Sequence, residues 1–224
     1  MRGLFVTGTD TGVGKSVASA CLLASMRAAG ENVRAYKPVL TGMDEAPEPP
    51  WPADHELLAR AAGTSPEEVA PLRFGAAASP HLAAALEGEQ IDPRALIARA
   101  RALGDGHKLL VEGVGGLLVP FSDAFSVCGL AVALGLPLVV VARPGLGTIN
   151  HTLLTLKAAR EARLGVAGVL LGGWPAEPSA LEISNRDTIA ALGAVDVFTL
   201  PLLSGPEPAA LAAAGDALPW RSWL

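Results

Sequence analysis

The chain has 224 residues and a formal net charge of −5 without a Lys/Arg run, which argues against nucleic acid as a partner. Half of its residues are hydrophobic and the mean hydropathy is +0.39, so a disordered chain is excluded and a sizeable core is expected. The longest apolar run, Leu130–Ala142, is broken by Gly135 and Pro137 and is too short for a membrane span.

Leu4–Val6 reads as a buried strand. It breaks at Gly8 into a loop of small and polar residues that ends in Gly14-Lys15-Ser16. A helical apolar pattern through Val17, Ala20, Cys21 and Ala24 follows, and Gly30 is a plausible stop. Strand, Gly-rich loop, Gly-Lys-Ser and helix are the context of a P-loop. The first position of the motif, separated from Gly14-Lys15-Ser16 by four residues and normally Gly, is Thr9 here. Because the strand begins by Leu4, no leader peptide is expected and a cytoplasmic location follows. Cys21 and Cys128 lie in apolar contexts and read as buried thiols.

Asn32–Lys37 alternates like a strand and is ended by Pro38. Asp44–Ala53 is Pro-rich and acidic, hence a surface loop. Helices are expected at His55–Ala62, after Ser65, at Leu82–Leu86 and at Pro93–Leu103. Lys108–Val111 reads as a strand that ends before Glu112-Gly113-Val114-Gly115-Gly116, and Leu138–Val141 as a central parallel strand. Thr148 is expected to N-cap a helix over Ile149–Ala162. Strands at Val166–Leu171 and Val195–Leu200 and helices at Pro178–Leu192 and Pro208–Ala214 complete the pattern. Alternating strands and helices predict one α/β domain, a parallel sheet with helices on both faces.

Several side chains stand where chemistry is expected. The P-loop glycines free backbone N–H groups for phosphate, Lys15 would reach the β- and γ-phosphates, and the Ser16 hydroxyl suits Mg²⁺. Glu112 is either a second Mg²⁺ ligand beside the P-loop or a solvated loop acid. Asp54 is either a helix N-cap or a further Mg²⁺ carboxylate. Lys37 is either a surface lysine or a cation at the sheet edge where open α/β folds bind ligands. Gly145-Leu146-Gly147-Thr148 is either a plain helix cap or a second anion site. Trp220 and Trp223 read as packing residues, the alternative being a short membrane anchor. The residues themselves thus lead to an Mg²⁺-nucleotide enzyme or switch with a second anion site.

The motifs together resemble the dethiobiotin synthetase family. Those that carry the likeness are Phe5–Ser16, Tyr36-Lys-Pro-Val-Leu-Thr-Gly42, Asp54, Ser79-Pro80-His81, Val111-Glu-Gly-Val-Gly-Gly116 and Leu146-Gly-Thr-Ile-Asn-His151. The resemblance implies a P-loop parallel-sheet fold and a homodimer with shared active sites. It implies a reaction of 7,8-diaminononanoate with CO₂, driven by ATP or another nucleoside triphosphate with Mg²⁺. It puts Thr11, Lys15 and Lys37 around the carbamate and γ-phosphate, and Ser16, Asp54 and Glu112 on Mg²⁺. Gly12, Val13, Gly14, Val17, Gly113, Val114 and Gly115 would line the nucleotide site. Thr41, Gly147, Thr148 and Asn150 would hold the substrate. Gly172 and Gly173 stand where many members carry an Asn-Asp that reads adenine; with Pro201, Leu202 and Leu203 they would flank the base. Gly12 replaces a Glu common in the family. A ParA/MinD-like ATPase switch is the alternative, but those proteins carry a signature Lys five residues before the P-loop Lys, and that position is Asp10.

Overall fold

A computed structural model describes all 224 residues. Six parallel strands form the central sheet, and β1 (Arg2–Gly8), the strand before the P-loop, lies inside it. On one side of β1 come β5 (Lys108–Gly116) and the edge strand β2 (Val33–Tyr36). On the other come β8 (Leu138–Ala142), β9 (Val166–Trp174) and β10 (Val197–Pro201). The chain therefore leaves β1 towards one edge, returns beside it as β5, and later builds outward on its other side. Such a reversal opens a crevice at the carboxyl ends of the strands.

The period of two along the strands sorts the core into two layers. Leu4 and Val6 point towards α1 (Lys15–Ala28), α2 (Asp54–Ala62) and α9 (Pro208–Asp216). Phe5 points into the other layer, which receives α5 (Pro93–Leu103), α6 (Val127–Leu134), α7 (Thr148–Glu161) and α8 (Ala180–Gly193). Strand β8 is buried on both faces, as its uninterrupted apolar sequence demands. Short elements fill the connections: α3 (Pro66–Val69) and α4 (Pro80–Leu86), the pair β3 (Val39–Leu40) and β4 (Leu72–Arg73), and the hairpin β6 (Pro120–Ser122) and β7 (Phe125–Ser126).

The structure moves several expected boundaries. Strand β5 does not stop at Val111 but runs through Glu112 to Gly116, because Gly113 and Gly115 permit close packing where a side chain would collide. Strand β9 likewise continues through Gly172 and Gly173. Helix α6 was hidden inside the apolar run, and Gly135 ends it in the left-handed conformation. Helix α8 starts at Ala180, where Ser179 and Glu182 form a reciprocal capping box. The last strand begins at Val197 rather than Val195.

The two terminal tryptophans lie in α10 (Trp220–Trp223) and are buried. The Trp220 indole donates to Ser25 Oγ at 2.9 Å, and Trp223 meets Phe198 edge to face. They lock the C-terminus over α1, as the packing reading anticipates. No helix is long and apolar enough to cross a membrane.

Helices α1 and α9 touch closely at Gly215, where an added Cβ would lie 2.0 Å from the Cys21 carbonyl oxygen. Gly215→Ala must push the helices apart. It should cost about 1–3 kcal/mol, the usual penalty of overpacking. Urea denaturation measures this; an unchanged midpoint would show that the contact yields freely.

Candidate nucleotide and carboxylation site

The P-loop is built by backbone geometry. The Thr9 amide donates to the Val141 carbonyl at 3.0 Å, tying the loop to β8. Gly8 faces Gly116, and the β1–β5 register shifts just before it. Gly12 and Gly14 adopt φ of 70° and 88°, the left-handed region that glycine enters without strain. Gly14 is the N-cap of α1, so the amides of the first turn are unpaired within the helix and face the loop. Val13 is buried and Val17 half-buried against the α1 layer. The Lys15 ammonium donates to the Asp10 carbonyl at 2.9 Å.

A charged cluster sits beside the loop. Lys37 follows β2 directly, and its amide donates to the Val69 carbonyl at 2.9 Å. Its side chain is folded inward and Lys37 is only 4 % exposed. The Lys37 ammonium is hydrogen-bonded to an Asp54 oxygen, and it donates to Glu112 Oε1 at 2.7 Å. Ser16 Oγ donates to the same Glu112 oxygen at 2.8 Å. Glu112 is 0 % exposed, so the solvated-acid alternative falls. Asp54 is not an N-cap: Ala53 occupies that position and makes no side-chain cap, while Asp54 is the first helical residue with its carboxylate on Lys37. The buried position of Lys37 likewise excludes the surface-lysine reading.

The two lysines are tuned in opposite directions. Burial alone would lower the Lys37 pKa, but Glu112 and Asp54 together raise it above the ordinary lysine range. Lys37 therefore stays an ammonium and serves as a charge and hydrogen-bond donor, not as a base. Lys15 touches a carbonyl rather than a carboxylate, and burial lowers its pKa despite the attraction of Glu112. Burial would raise the Asp54 pKa, but the charge and hydrogen bond of Lys37 outweigh it and hold the carboxyl low.

Ser16, Asp54 and Glu112 are oxygen donors gathered at one place, and the second Glu112 oxygen, Oε2, is buried with no partner. That set fits Mg²⁺, which takes one or two carboxylates and leaves its other positions to phosphates and water.

The other predicted residues lie at the carboxyl ends of strands or in the loops that follow them. An added Cβ at Gly113 would lie 2.8 Å from Val127, and one at Gly115 would lie 3.4 Å from the Thr11 hydroxyl. Val114 is half-buried between them. Thr11 borders a cavity of about 460 Å³ together with Asp10, Leu117, Leu118, Leu154 and Thr155. Thr41 follows β3. A Cβ on Gly172 would stand 3.3 Å from the Val13 carbonyl, so β9 passes close to the P-loop here with backbone alone. Gly173, at φ 67°, neighbours Leu202, whose amide donates to the Trp174 carbonyl at 3.0 Å. Pro201 ends β10, and Leu203 packs on the α1 layer.

Gly147, Thr148 and Asn150 form a separate group at the start of α7, with no hydrogen bond to Lys37, Asp54 or Glu112. The N-cap is Gly147, at φ 90°, and not Thr148. Thr148 is already helical and buried, its hydroxyl 3.5 Å from that of Thr152. Sequence reasoning missed two residues that shape this region. Arg143 reaches Asp10 of the P-loop at 3.3 Å. Asn185 is buried and donates to the Pro144 and Gly145 carbonyls at 2.9 and 3.2 Å, fixing the loop before α7. A lone Arg ending an apolar strand and an Asn at a core position of α8 were the available signals.

The depressed Asp54 pKa has a signed consequence. Its contribution to stability is complete above the unfolded value of about 3.9, and is lost as pH falls through the lower folded value. Asp54→Asn should therefore reduce unfolding free energy at neutral pH, and the gap from wild type should begin to narrow below about pH 4 and close once pH is below the folded value. Urea denaturation across this range measures it. A gap that persists undiminished in acid would mean that Asp54 and Lys37 are not paired.

Comparison with known proteins identifies the family. Residues 2–204 match the AAA domain family AAA_26. The ATP-dependent dethiobiotin synthetase BioD of Anaeromyxobacter sp. (strain Fw109-5) is 43% identical over 206 residues, 87% of this chain and 91% of its own. That of Anaeromyxobacter dehalogenans (strain 2CP-1 / ATCC BAA-258) is 47% identical over 195 residues, 86% of each chain. Among solved structures, the cell division ATPase MinD of Pyrococcus furiosus superposes with a TM-score of 0.56 at 15% identity, covering 96% of this chain and 98% of that one. This last likeness is one of fold alone. With a P-loop, two inward lysines and relatives matched along most of their length, the chain belongs to the ATP-dependent dethiobiotin synthetase family.

Proposed function

We propose that the chain joins CO₂ to the two amines of 7,8-diaminononanoate, forming the cyclic urea of dethiobiotin while ATP is split to ADP and phosphate. The observation that carries this reading is the buried Lys37 ammonium beside the P-loop, held inward by Glu112 and Asp54.

In this reading one amine nitrogen attacks CO₂ and loses a proton, giving a carbamate. A carbamate oxygen then takes the γ-phosphoryl group, the bond to the nucleoside diphosphate breaking. The second amine attacks the carbonyl carbon, loses its proton, closes the ring and expels phosphate. Carbamate, phosphoryl group and leaving phosphate are all anions, so the work of the protein is to hold positive charge and donors against them. Lys15 and the amides of Gly12, Val13 and Gly14 cradle the phosphates. Lys37 and the Thr11 hydroxyl face the carbamate. Mg²⁺ held by Ser16, Asp54 and Glu112 would supply neutralisation of phosphate charge. Gly113 and Gly115 let backbone approach the nucleotide, and Gly172 and Gly173 leave the base without a side chain to read it. The enzyme is taken to be cytoplasmic, where its nucleotide is available.

The reading is tested by supplying diamine, bicarbonate, Mg²⁺ and ATP and detecting dethiobiotin by mass spectrometry. Phosphate release should require both diamine and CO₂; equal release without diamine would overturn the reading. Lys37→Gln should lower kcat about a hundred- to thousandfold, the loss typical of a donor aimed at developing charge. Lys15→Ala should also weaken nucleotide binding. A Lys37→Gln enzyme with near-normal kcat would remove Lys37 from the chemistry.

The substrate also carries a carboxylate at the far end of its carbon chain. Gly147, Thr148 and Asn150 open α7 with amides that suit it. The proposal includes a two-fold dimer in which this anchor serves the partner's site. Inactive Lys37→Ala and Asn150→Trp chains, unfolded and refolded together, should regain roughly a quarter of wild-type sites, since half the dimers are mixed and each has one intact site. If each site lies within one chain, no activity returns.

A further inference from the structure

One feature of the cluster exceeds what phosphate and carbamate binding need. The side chains suited to Mg²⁺ are not waiting apart: Lys37 bridges both carboxylates, and Ser16 donates to the Glu112 oxygen that Lys37 also uses. The ammonium stands between Asp54 and Glu112, where a cation shared by the two would have to sit. Two anions and one cation in so small a volume cannot admit a further double positive charge without rearrangement. Like charges a few ångströms apart repel strongly where water is excluded.

Movement of one side chain is enough to make room. The Lys37 backbone is fixed by its bond to Val69 and by Pro38 next in the chain. Its four-carbon stem is flexible, and its ammonium is a compact charge that exchanges partners readily. Glu112 has a free buried oxygen, Oε2, so it can meet a metal before it releases the lysine.

We propose that Lys37 is the resident cation of this carboxylate pair in the free protein, and that a metal–nucleotide complex displaces it towards the reacting anions. Lys37 and the metal then compete for Asp54 and Glu112. The exchange keeps the carboxylates neutralised before nucleotide arrives. It also presents the Lys37 charge to substrate only after nucleotide and metal are in place. The inference rests on the nucleotide and metal reading above, but not on the identity of the diamine.

The test reads metal binding in nucleotide-free protein, with Mn²⁺ as the probe followed by electron paramagnetic resonance. Wild type should bind Mn²⁺ weakly. Lys37→Met should gain one site per chain with at least tenfold higher affinity, and Asp54→Asn added to it should remove that site. Lys15→Met, which removes a neighbouring charge bonded to a carbonyl rather than to either carboxylate, should leave Mn²⁺ affinity close to wild type. Equal tightening by both lysine variants, or none by Lys37→Met, would overturn the exchange. Because Lys37→Met leaves two carboxylates facing each other and can fail to fold, wild type supplies a second readout. With ¹⁵N-labelled lysine ammonium groups, the Lys37 resonance should move when a non-hydrolysable ATP analogue is added with Mg²⁺, and far less when EDTA is present. Identical movement with and without metal would overturn the proposal. If wild type makes no dethiobiotin while these readouts hold, the substrate reading falls and the exchange stands; the converse pattern removes the exchange alone.

Discussion

Everything at the carboxyl edge of the sheet depends on hiding Lys37 and Glu112 from water together. Each ion loses several kcal/mol of hydration when buried, and mutual attraction repays this only if the remaining donors and acceptors are satisfied. The cluster nearly meets that condition: Lys37 has two carboxylates, and Glu112 Oε1 has two donors. Glu112 Oε2 is the exception, buried and unpartnered. Buried ion pairs of this kind add little net stability compared with apolar packing. Their place beside a phosphate-binding loop is therefore better explained by what they do to an arriving anion or cation.

Close backbone approach makes the cluster possible. Ser16 belongs to the helix after β1, and Glu112 to the neighbouring strand, so their 2.8 Å contact needs β1 and β5 to stay together past the point where the chain turns into the loop. Gly8 opposite Gly116 allows this. A side chain at Gly8 would meet the Asp10 carbonyl and Val13, closing the loop from within. The loop is held from the other side as well, by the Thr9 amide on β8 and by Arg143 on Asp10. It is thus suspended between the two strands that flank β1, which preorganises its amides before any phosphate arrives.

Local signals made much of this legible. The P-loop, the parallel α/β order and the inward Trp220 and Trp223 follow from periodicity, glycine placement and the lack of an amphipathic membrane helix. What stayed hidden was decided by partners far along the chain. Glu112 reads as a strand-ending acid because nothing near it in sequence can bury a charge; its partners are 75 and 96 residues away. Asp54 has the form of an N-cap, and only the presence of Lys37 explains why its carboxylate turns elsewhere. Thr148 has the side chain of a cap, but the turn needs φ near 90°, which favours glycine and places the cap at Gly147. Helix α6 shows no period because its exposed side carries Val132 and small residues rather than polar ones.

The strand order also bears on where a long substrate can lie. Lys37 follows β2, while the loop before α7 follows β8, and the order β8-β1-β5-β2 separates them by three strand spacings. At about 4.8 Å per spacing that is roughly 14 Å across the sheet edge. The P-loop, leaving β1, occupies the ground between. A substrate reaching from Lys37 to α7 of its own chain would have to cross the cradle that nucleotide phosphates need. Leu118 and Leu154, both exposed, line the cavity that Thr11 borders, beside that ground. Within one chain, then, the P-loop lies on the path between the Lys37 ammonium and the start of α7, and a long substrate held at both would have to share that ground with the nucleotide.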